Sequence, residues 1–115
     1  MAQITYDIAA EQGTDYSVTF TYRDSSNALV NLTGATARMQ VRRFVESQNP
    51  FLTILSGSGI TLGGAAGTVA LAISAASLSA VPSGAYKYDI EIVTSSSVVV
   101  KLISGDFLLS AEVTR

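Results

Sequence analysis

The residues of this chain that could do acid–base chemistry are few, and two of them share one alternating stretch. Asp89 and Glu91 are separated by a single residue. Carboxylate catalysis needs two acids that converge on one cleft, whereas residues i and i+2 of a strand point the same way, side by side. Arg38 and Arg42 lie on the same face of another alternating stretch. The pattern therefore favours a solvent-facing sheet surface with cross-strand ion pairs over a catalytic pair.

Other kinds of reactive site find even less support. The chain has no histidine and no cysteine, so it lacks the commonest general base, the commonest zinc ligand and any thiolate. Asp24 and Asn27 bracket a turn-forming segment that lacks the further acids of a calcium loop, so an Asx turn is expected. Residues 57–67 are rich in glycine without the Gly-Lys-Ser/Thr of a phosphate loop. We expect no catalytic residue, cofactor, metal or small-molecule substrate.

Composition indicates a small protein whose surface carries little charge. Its 115 residues predict one domain, residues 1–115. Only 14% of the residues are charged, against about 25% in an average protein, so much of the surface is either Ser, Thr, Gly and Ala or covered by a partner. The net charge of −2 gives no electrostatic support for nucleic-acid binding. Residues 65–81 are too short and too poor in Leu and Phe for a membrane-spanning helix, and residues 1–10 lack the basic start of a secretory signal.

Alternation of apolar and polar residues with a period of two predicts strands along most of the chain. The predicted strands are 3–8, 15–23, 35–43, 51–55, 60–62, 68–73, 85–93, 98–103 and 106–113, the last two hinged at Ser104 and Gly105. One short helical turn is expected at 74–80, with Ser74 as its N-cap and Pro82 ending it. These elements predict an all-β fold, an antiparallel immunoglobulin-like β-sandwich of about 8 short strands. The Gly-x-Tyr-x-Tyr that starts at Gly84 resembles the strand near the tyrosine corner of such sandwiches.

The aromatic residues fall into two groups. Tyr16, Phe20, Tyr86 and Tyr88 lie on the apolar faces of predicted strands and are expected in the core, not on a stacking platform for sugars or bases. A second group lies near strand ends or in loops and provides candidates for contact with another protein. These candidates are Tyr6, Tyr22, Phe44 and Phe51, joined by Gly57, Gly59, Gly63 and Gly64 of a segment that is interpreted either as hairpin turns or as a loop that orders on a partner.

Several segments resemble a family of small virion proteins of tailed bacteriophages, and the layout is similar to the N-terminal domain of phage baseplate upper proteins. The matching segments are Glu11-Gln12-Gly13 before Tyr16-Ser17-Val18-Thr19-Phe20, Asn31-Leu32-Thr33-Gly34 before Ala37-Arg38-Met39-Gln40-Val41-Arg42, Ile60-Thr61-Leu62-Gly63, Gly67-Thr68-Val69, Pro82-Ser83-Gly84-Ala85-Tyr86-Lys87-Tyr88-Asp89-Ile90, and a strand from Gly105 to Glu112-Val113-Thr114-Arg115. Baseplate upper proteins continue into a coiled coil or fibre at the point where this sequence ends.

The resemblance implies a structural component of a tailed-phage virion that acts as a tail, baseplate or fibre adaptor by protein–protein docking. It implies other phage virion proteins as partners, many copies in a symmetric assembly, a location in the virion after assembly in the host cytoplasm, and no catalytic residues. A capsid cement (decoration) protein is the alternative expectation, and a carbohydrate-binding module is a more distant one.

Overall fold

Nine β-strands account for most of the residues in the computed structural model, which describes residues 4–44 and 49–111. The strands are β1 (Ile4–Thr5), β2 (Ile8–Glu11), β3 (Tyr16–Thr21), β4 (Thr36–Arg42), β5 (Leu52–Ser56), β6 (Gly59–Leu62), β7 (Thr68–Ile73), β8 (Gly84–Val93) and β9 (Val99–Ser110). A 3-10 turn (Gly64–Ala66) precedes β7, and one helix, α1 (Ala75–Ser79), follows it.

The strands follow one hydrogen-bonded path that folds into two stacked halves. Its order is β1-β9-β8-β4-β5-β6-β7-β3, and β2 also pairs with β9. The path turns at β5 and β6, which share only two residue pairs, and the buried residues of both halves form one core. The neighbours β3-β7-β6 and β4-β8-β9 correspond to the B-E-D and C-F-G neighbours of immunoglobulin sheets. The predicted all-β immunoglobulin-like sandwich is confirmed, with two refinements: β1, β2 and β6 make parallel pairings, and β8 and β9 are 10 and 12 residues long.

The core contains the apolar faces that the alternation predicts. On β4, the inward residues Ala37, Met39 and Val41 are buried, and the apolar residues of β7 and β8 are buried in the same alternating way. No polar or charged residue is buried in the part of the chain that the structure describes. The outward faces therefore hold the charged side chains.

The predicted helical turn is present as α1. The Ser74 hydroxyl accepts a hydrogen bond from the backbone N–H of Ser77 at 3.1 Å, which is an N-cap. The carboxylate of Asp15 accepts from the backbone N–H of Ala75 at 2.7 Å. Leu78 is fully buried and anchors the turn to the core.

The first predicted strand, residues 3–8, is wrong in its extent. The chain forms β1 and β2 with a break at Tyr6 and Asp7, and residue 3 lies outside the described residues. At the break, the Asp7 carboxylate accepts from the backbone N–H of Asp106 at 3.0 Å. The Asp7 carboxylate thus accepts a hydrogen bond in place of a backbone carbonyl of the parallel ladder, and the chain then continues along β9 as β2.

The predicted hinge at Ser104 and Gly105 is also wrong, because β9 runs through both residues without interruption. A Cβ on Gly105 would lie 2.2 Å from the carbonyl oxygen of Tyr6, so glycine is required where β9 is crossed closely by the N-terminal segment. The irregularity lies earlier, where Leu102 is an extra residue in the β8–β9 register. Leu102 and Ile103 are consequently both buried. The predicted end of this strand, at residue 113, lies outside the described residues.

Candidate docking surface

The solvent-facing side of β4, β8 and β9 carries a band of charged side chains. The cross-strand ion pairs are Arg38–Glu91 (2.9 Å, Nε to Oε1), Lys87–Asp106 and Lys101–Asp89 (3.6 Å, Nζ to Oδ2). The predicted ion-paired sheet face is therefore confirmed. The hydrogen bond from Lys87 to the Asp106 carboxylate raises the pKa of the Lys87 ammonium.

All residues of this charged band except Arg38 line a shallow groove of about 590 Å³, whose walls also include Thr5, Gln40 and Ser104. Asp89 and Glu91, the acids considered for catalysis, each face a different cation. They do not form an acid pair that converges on one point. The groove offers alternating donors and acceptors, which suits the polar rim of a protein interface.

An apolar patch lies beside the charged band, at the end of the sheet where β4 stops. Leu108 on β9 lies opposite Ala85 on β8 and Ala9 on β2, and all three are exposed. Phe44 follows the end of β4, and Phe51 precedes β5. The exposed fractions are 48% for Leu108, 60% for Phe44 and 45% for Phe51. We call these five residues the apolar patch.

An arginine and a buried tyrosine hold the margin of the apolar patch in place. The guanidinium carbon of Arg43 lies 4.6 Å from the ring centroid of Tyr86 and 5.9 Å from that of Phe51. The Phe51 ring meets Tyr86 edge-on at 5.1 Å. The Tyr86 hydroxyl donates to the carbonyl oxygen of Pro82, four residues upstream, which is the bond of a tyrosine corner. The margin is therefore ordered before any partner arrives.

Tyr6, one of the predicted contact residues, lies at the break between β1 and β2 and is 39% exposed. Its ring meets Phe20 edge-on at 5.1 Å, and its carbonyl oxygen accepts from the Tyr88 hydroxyl. Burial, followed by the hydrogen bond with Tyr6, raises the pKa of Tyr16 to about 12. Burial also raises the pKa of Tyr88. The predicted core aromatics are confirmed, since Phe20, Tyr86 and Tyr88 are buried and Tyr16 is half-buried.

Tyr22 does not lie where the sequence predicts a contact residue. It is only 2% exposed, because the chain returns over it and Val30 donates its backbone N–H to the Tyr22 carbonyl at 3.0 Å. Its hydroxyl finds no hydrogen-bond partner among the described residues and borders a cavity of about 40 Å³ that Leu32 and Ile92 also line. A contact residue must be exposed, and the side chain of Tyr22 is not.

The glycine candidates occupy tight turns around β6. A Cβ on Gly59 would lie 2.6 Å from Ile54 Cγ2, and the backbone there has φ +126°, so a side chain is excluded. A Cβ on Gly63 would lie 1.8 Å from Thr68 Oγ1. Gly57 is exposed and Gly64 is half-buried. The connection from β6 to β7 is a hairpin turn because these strands are antiparallel, whereas Gly57 and Gly59 lie between the parallel strands β5 and β6, where a hairpin is wrong. Contact with a partner stays a prediction for this segment.

The turn at Asp24 is the Asx turn that was predicted. Its Oδ1 accepts from the backbone N–H groups of Ser26 at 2.9 Å and Ala28 at 3.0 Å.

Residues 4–44 and 49–111 contain no group of three or more His, Cys, Asp or Glu side chains that could hold a metal ion. In the same residues, no helix has the length and apolar character needed to cross a membrane.

Sequence reasoning missed the apolar patch as a unit and missed Leu108 within it. Leu108 faces solvent because the extra residue Leu102 resets the alternation of β9. The available signal is the consecutive apolar pair Leu102 and Ile103. That pair indicates that the alternation is interrupted, but it does not show which of the following residues face solvent.

Comparisons with known proteins return similar structures and no similar sequences. No protein-family profile matches the chain, and no curated protein matches it. One similar solved structure is described as analyses of multimeric cell-adhesive interactions of VGSC beta subunits; it is 12% identical, with a TM-score of 0.48, over 94% of this chain and 92% of that one. Another is murine CRIg, 12% identical with a TM-score of 0.42, over 92% of each chain.

Proposed function

We propose that this chain is a structural component of a tailed-phage virion, where it acts as a non-catalytic adaptor in the tail or baseplate. The phage assignment depends on the sequence resemblance described above. The docking role is supported by one structural observation: Phe44, Phe51 and Leu108 are each exposed near the end of the sheet where β4 stops, and a band of paired charges lies on the same sheet. An apolar centre with a polar rim is the usual composition of a protein interface.

The mechanism of this adaptor is burial of the apolar patch against another virion protein. Phe44, Phe51 and Leu108 supply most of the apolar area, and Arg43 holds the margin beside Phe51. The neighbouring pair Lys87–Asp106 is exposed and can exchange hydrogen bonds with polar groups of the partner. Affinity then comes from the apolar side chains, and orientation comes from the charges.

The decisive experiment places the protein on a particle. Phage particles from the source host are purified, labelled with gold-conjugated antibody raised against this chain, and imaged by electron microscopy. We expect label at the tail or baseplate. Label over the capsid would instead support the capsid decoration alternative, and particles without label would refute a virion role.

A matched pair of variants tests the apolar patch itself. Leu108→Asp places a charge in the apolar patch. Thr61→Asp places the same charge at an exposed position of β6, outside the patch. We expect Leu108→Asp to abolish capture of virion proteins by the immobilised chain and Thr61→Asp to retain it. Equal capture by the two variants would show that docking does not use the patch.

A further inference from the structure

β3 is an edge strand that lacks the usual protection. Among residues 4–44 and 49–111, its only partner strand is β7, with which it forms six consecutive residue pairs without a bulge. Its residues include no charge and no proline. The edge at the opposite end of the path is different, because β1 and β2 are short and are broken at Tyr6 and Asp7. Exposed edges normally carry a lysine, a proline, a bulge or a break that prevents pairing with another chain.

The backbone of β3 is in the correct phase to accept another strand. The N–H of Tyr22 donates to the carbonyl of Gly67, on the β7 side, at 2.7 Å. Alternate residues of an antiparallel strand bond to opposite sides. The N–H and C=O groups of Ser17, Thr19 and Thr21 therefore point away from β7, and the side chains of these three residues are exposed.

We propose that β3 pairs antiparallel with β3 of a second copy of this chain, across a two-fold axis at Thr19. This register sets Thr19 opposite Thr19 of the second copy, and Ser17 opposite Thr21. The two sandwiches then share one continuous sheet. The inference extends the multi-copy docking proposed above, but it concerns the purified chain and does not need a virion.

Charge complementarity identifies the second copy as the occupant and selects the register. A two-fold axis at Thr19 sets Asp15 opposite Arg23 of the second copy, and symmetry produces this ion pair twice. Moving the axis to Val18 sets Asp15 opposite Thr21, and moving it to Phe20 sets Asp15 opposite Ser25, so both alternatives lose the pair.

Both charged groups have donors or acceptors to spare for this pair. Oδ1 of Asp15 accepts from Ala75 N–H, and a carboxylate has a second oxygen. Nη1 of Arg23 donates to the Asn27 carbonyl at 3.1 Å, and a guanidinium has further N–H groups. Residues 15 and 23 are both exposed.

The core side of the strand is complementary in the same register. Half-buried Val18 lies opposite Phe20, and half-buried Tyr16 lies opposite Tyr22. Pairs of aromatic with β-branched or aromatic residues are favourable cross-strand neighbours. Because only one short strand from each copy contributes, the interface is at the small end of specific interfaces and the dimer is expected to be weak and concentration-dependent.

Single cysteines test the register in a chain that has none of its own. In the proposed pair, the Cα atoms at position 19 are about 5.5 Å apart, within reach of a disulfide. Cysteines at position 17, or at position 21, would be about 14 Å from their counterparts. We expect Thr19→Cys to form a covalent dimer under mild oxidation, whereas Ser17→Cys and Thr21→Cys stay monomeric and their double variant cross-links. Equal cross-linking of the three single variants, or none in Thr19→Cys, would overturn the proposal.

Sedimentation equilibrium measures the same association without a cross-link. Thr19→Lys sets two ammonium groups opposite each other, and we expect it to raise the dimer Kd about tenfold. Thr61→Lys, on a strand that has neighbours on both sides, should leave the Kd unchanged. Arg23→Glu should raise the Kd and should do so less at high salt. Thermal melts confirm that each variant is folded, and a wild-type chain that stays monomeric up to its solubility limit refutes the pairing.

Discussion

Replacing Gly105 with alanine tests how closely the N-terminal segment crosses β9. Gly105 lies opposite Tyr88 within continuous β9. A Cβ at this position would lie 2.2 Å from the carbonyl oxygen of Tyr6 and 2.8 Å from its carbonyl carbon. Neither distance is compatible with van der Waals contact, so the backbone at Tyr6 must move away in the variant.

The expected cost follows from the hydrogen bonds that hold this crossing. Tyr6 N–H donates to the Ser104 carbonyl at 3.0 Å, Asp106 N–H donates to Asp7 at 3.0 Å, and the Tyr88 hydroxyl donates to Tyr6. Each such bond contributes about 1 kcal/mol net, so losing all of them costs about 3 kcal/mol. Alanine at an unstrained site returns about 0.4–1 kcal/mol by restricting the unfolded chain. We therefore expect a loss of about 2 kcal/mol in the free energy of unfolding.

The assay is urea denaturation of the variant beside a matched glycine variant. Among the described residues beyond its two chain neighbours, no atom would lie within 4 Å of a Cβ on Gly57, and the backbone there has φ +86°. Gly57→Ala therefore reports only the conformational cost of a left-handed residue, about 1 kcal/mol. Hydrogen exchange at Asp106 N–H should accelerate in Gly105→Ala and not in Gly57→Ala. A Gly105→Ala protein as stable as the wild type would refute the close approach, because without a clash alanine is stabilising here.

Three further predictions concern side chains. Tyr22→Phe removes a buried hydroxyl that has no partner among the described residues, so the free energy of unfolding should stay the same or rise by up to about 1 kcal/mol. Tyr88→Phe removes a hydrogen bond that the protein makes, so it should lower that free energy by about 1 kcal/mol. Urea melts in which both variants change stability in the same direction would contradict this. Folding raises the pKa of Tyr16 from 10.0 to about 12, so its contribution to stability is complete below pH 10 and is lost as the pH rises to 12. Tyr16→Phe should flatten the unfolding free energy against pH in that window, and an unchanged slope would contradict the assignment. Leu108→Asp should leave the disulfide yield of Thr19→Cys unchanged, since the two residues lie on different halves of the sandwich; a fall in yield would show that the two surfaces are coupled.

The fold class could be predicted because one face of most strands is apolar without a break. On β8, Tyr86, Tyr88, Ile90 and Ile92 alternate with Lys87, Asp89 and Glu91, and all four of the former residues are buried. A register slip of one residue would expose all four, so the burial pattern alone specifies the strand. The helical turn at Ser74 could be predicted for a similar reason, because its cap is formed by a side chain and a backbone group of neighbouring residues.

The errors at Gly105 and Tyr22 have different causes. Gly105 has the local signature of a hinge, but its glycine is required by the backbone of Tyr6, almost a hundred residues earlier in the sequence. Tyr22 lies near the end of an alternating stretch, but the returning segment at Val30 covers it. Nothing within a few residues of Gly105 reports its distant neighbour. For Tyr22 a local signal exists, because the alternation of Tyr16, Val18 and Phe20 places it on the apolar face of its strand.

The two surfaces proposed for docking can be occupied together, which is what an adaptor requires. The edge of β3 belongs to the half formed by β3, β6 and β7, whereas Leu108, Ala85 and Ala9 of the apolar patch lie on the solvent side of the other half. The charged band also lies on that other half, where its cations and carboxylates are paired within the chain. β3 itself carries no charge, and the charged residues nearest to its two ends are Asp15 and Arg23. Those two charges are complementary to the same two charges of an antiparallel second copy, so the edge favours a second copy while the apolar patch stays open to a different protein.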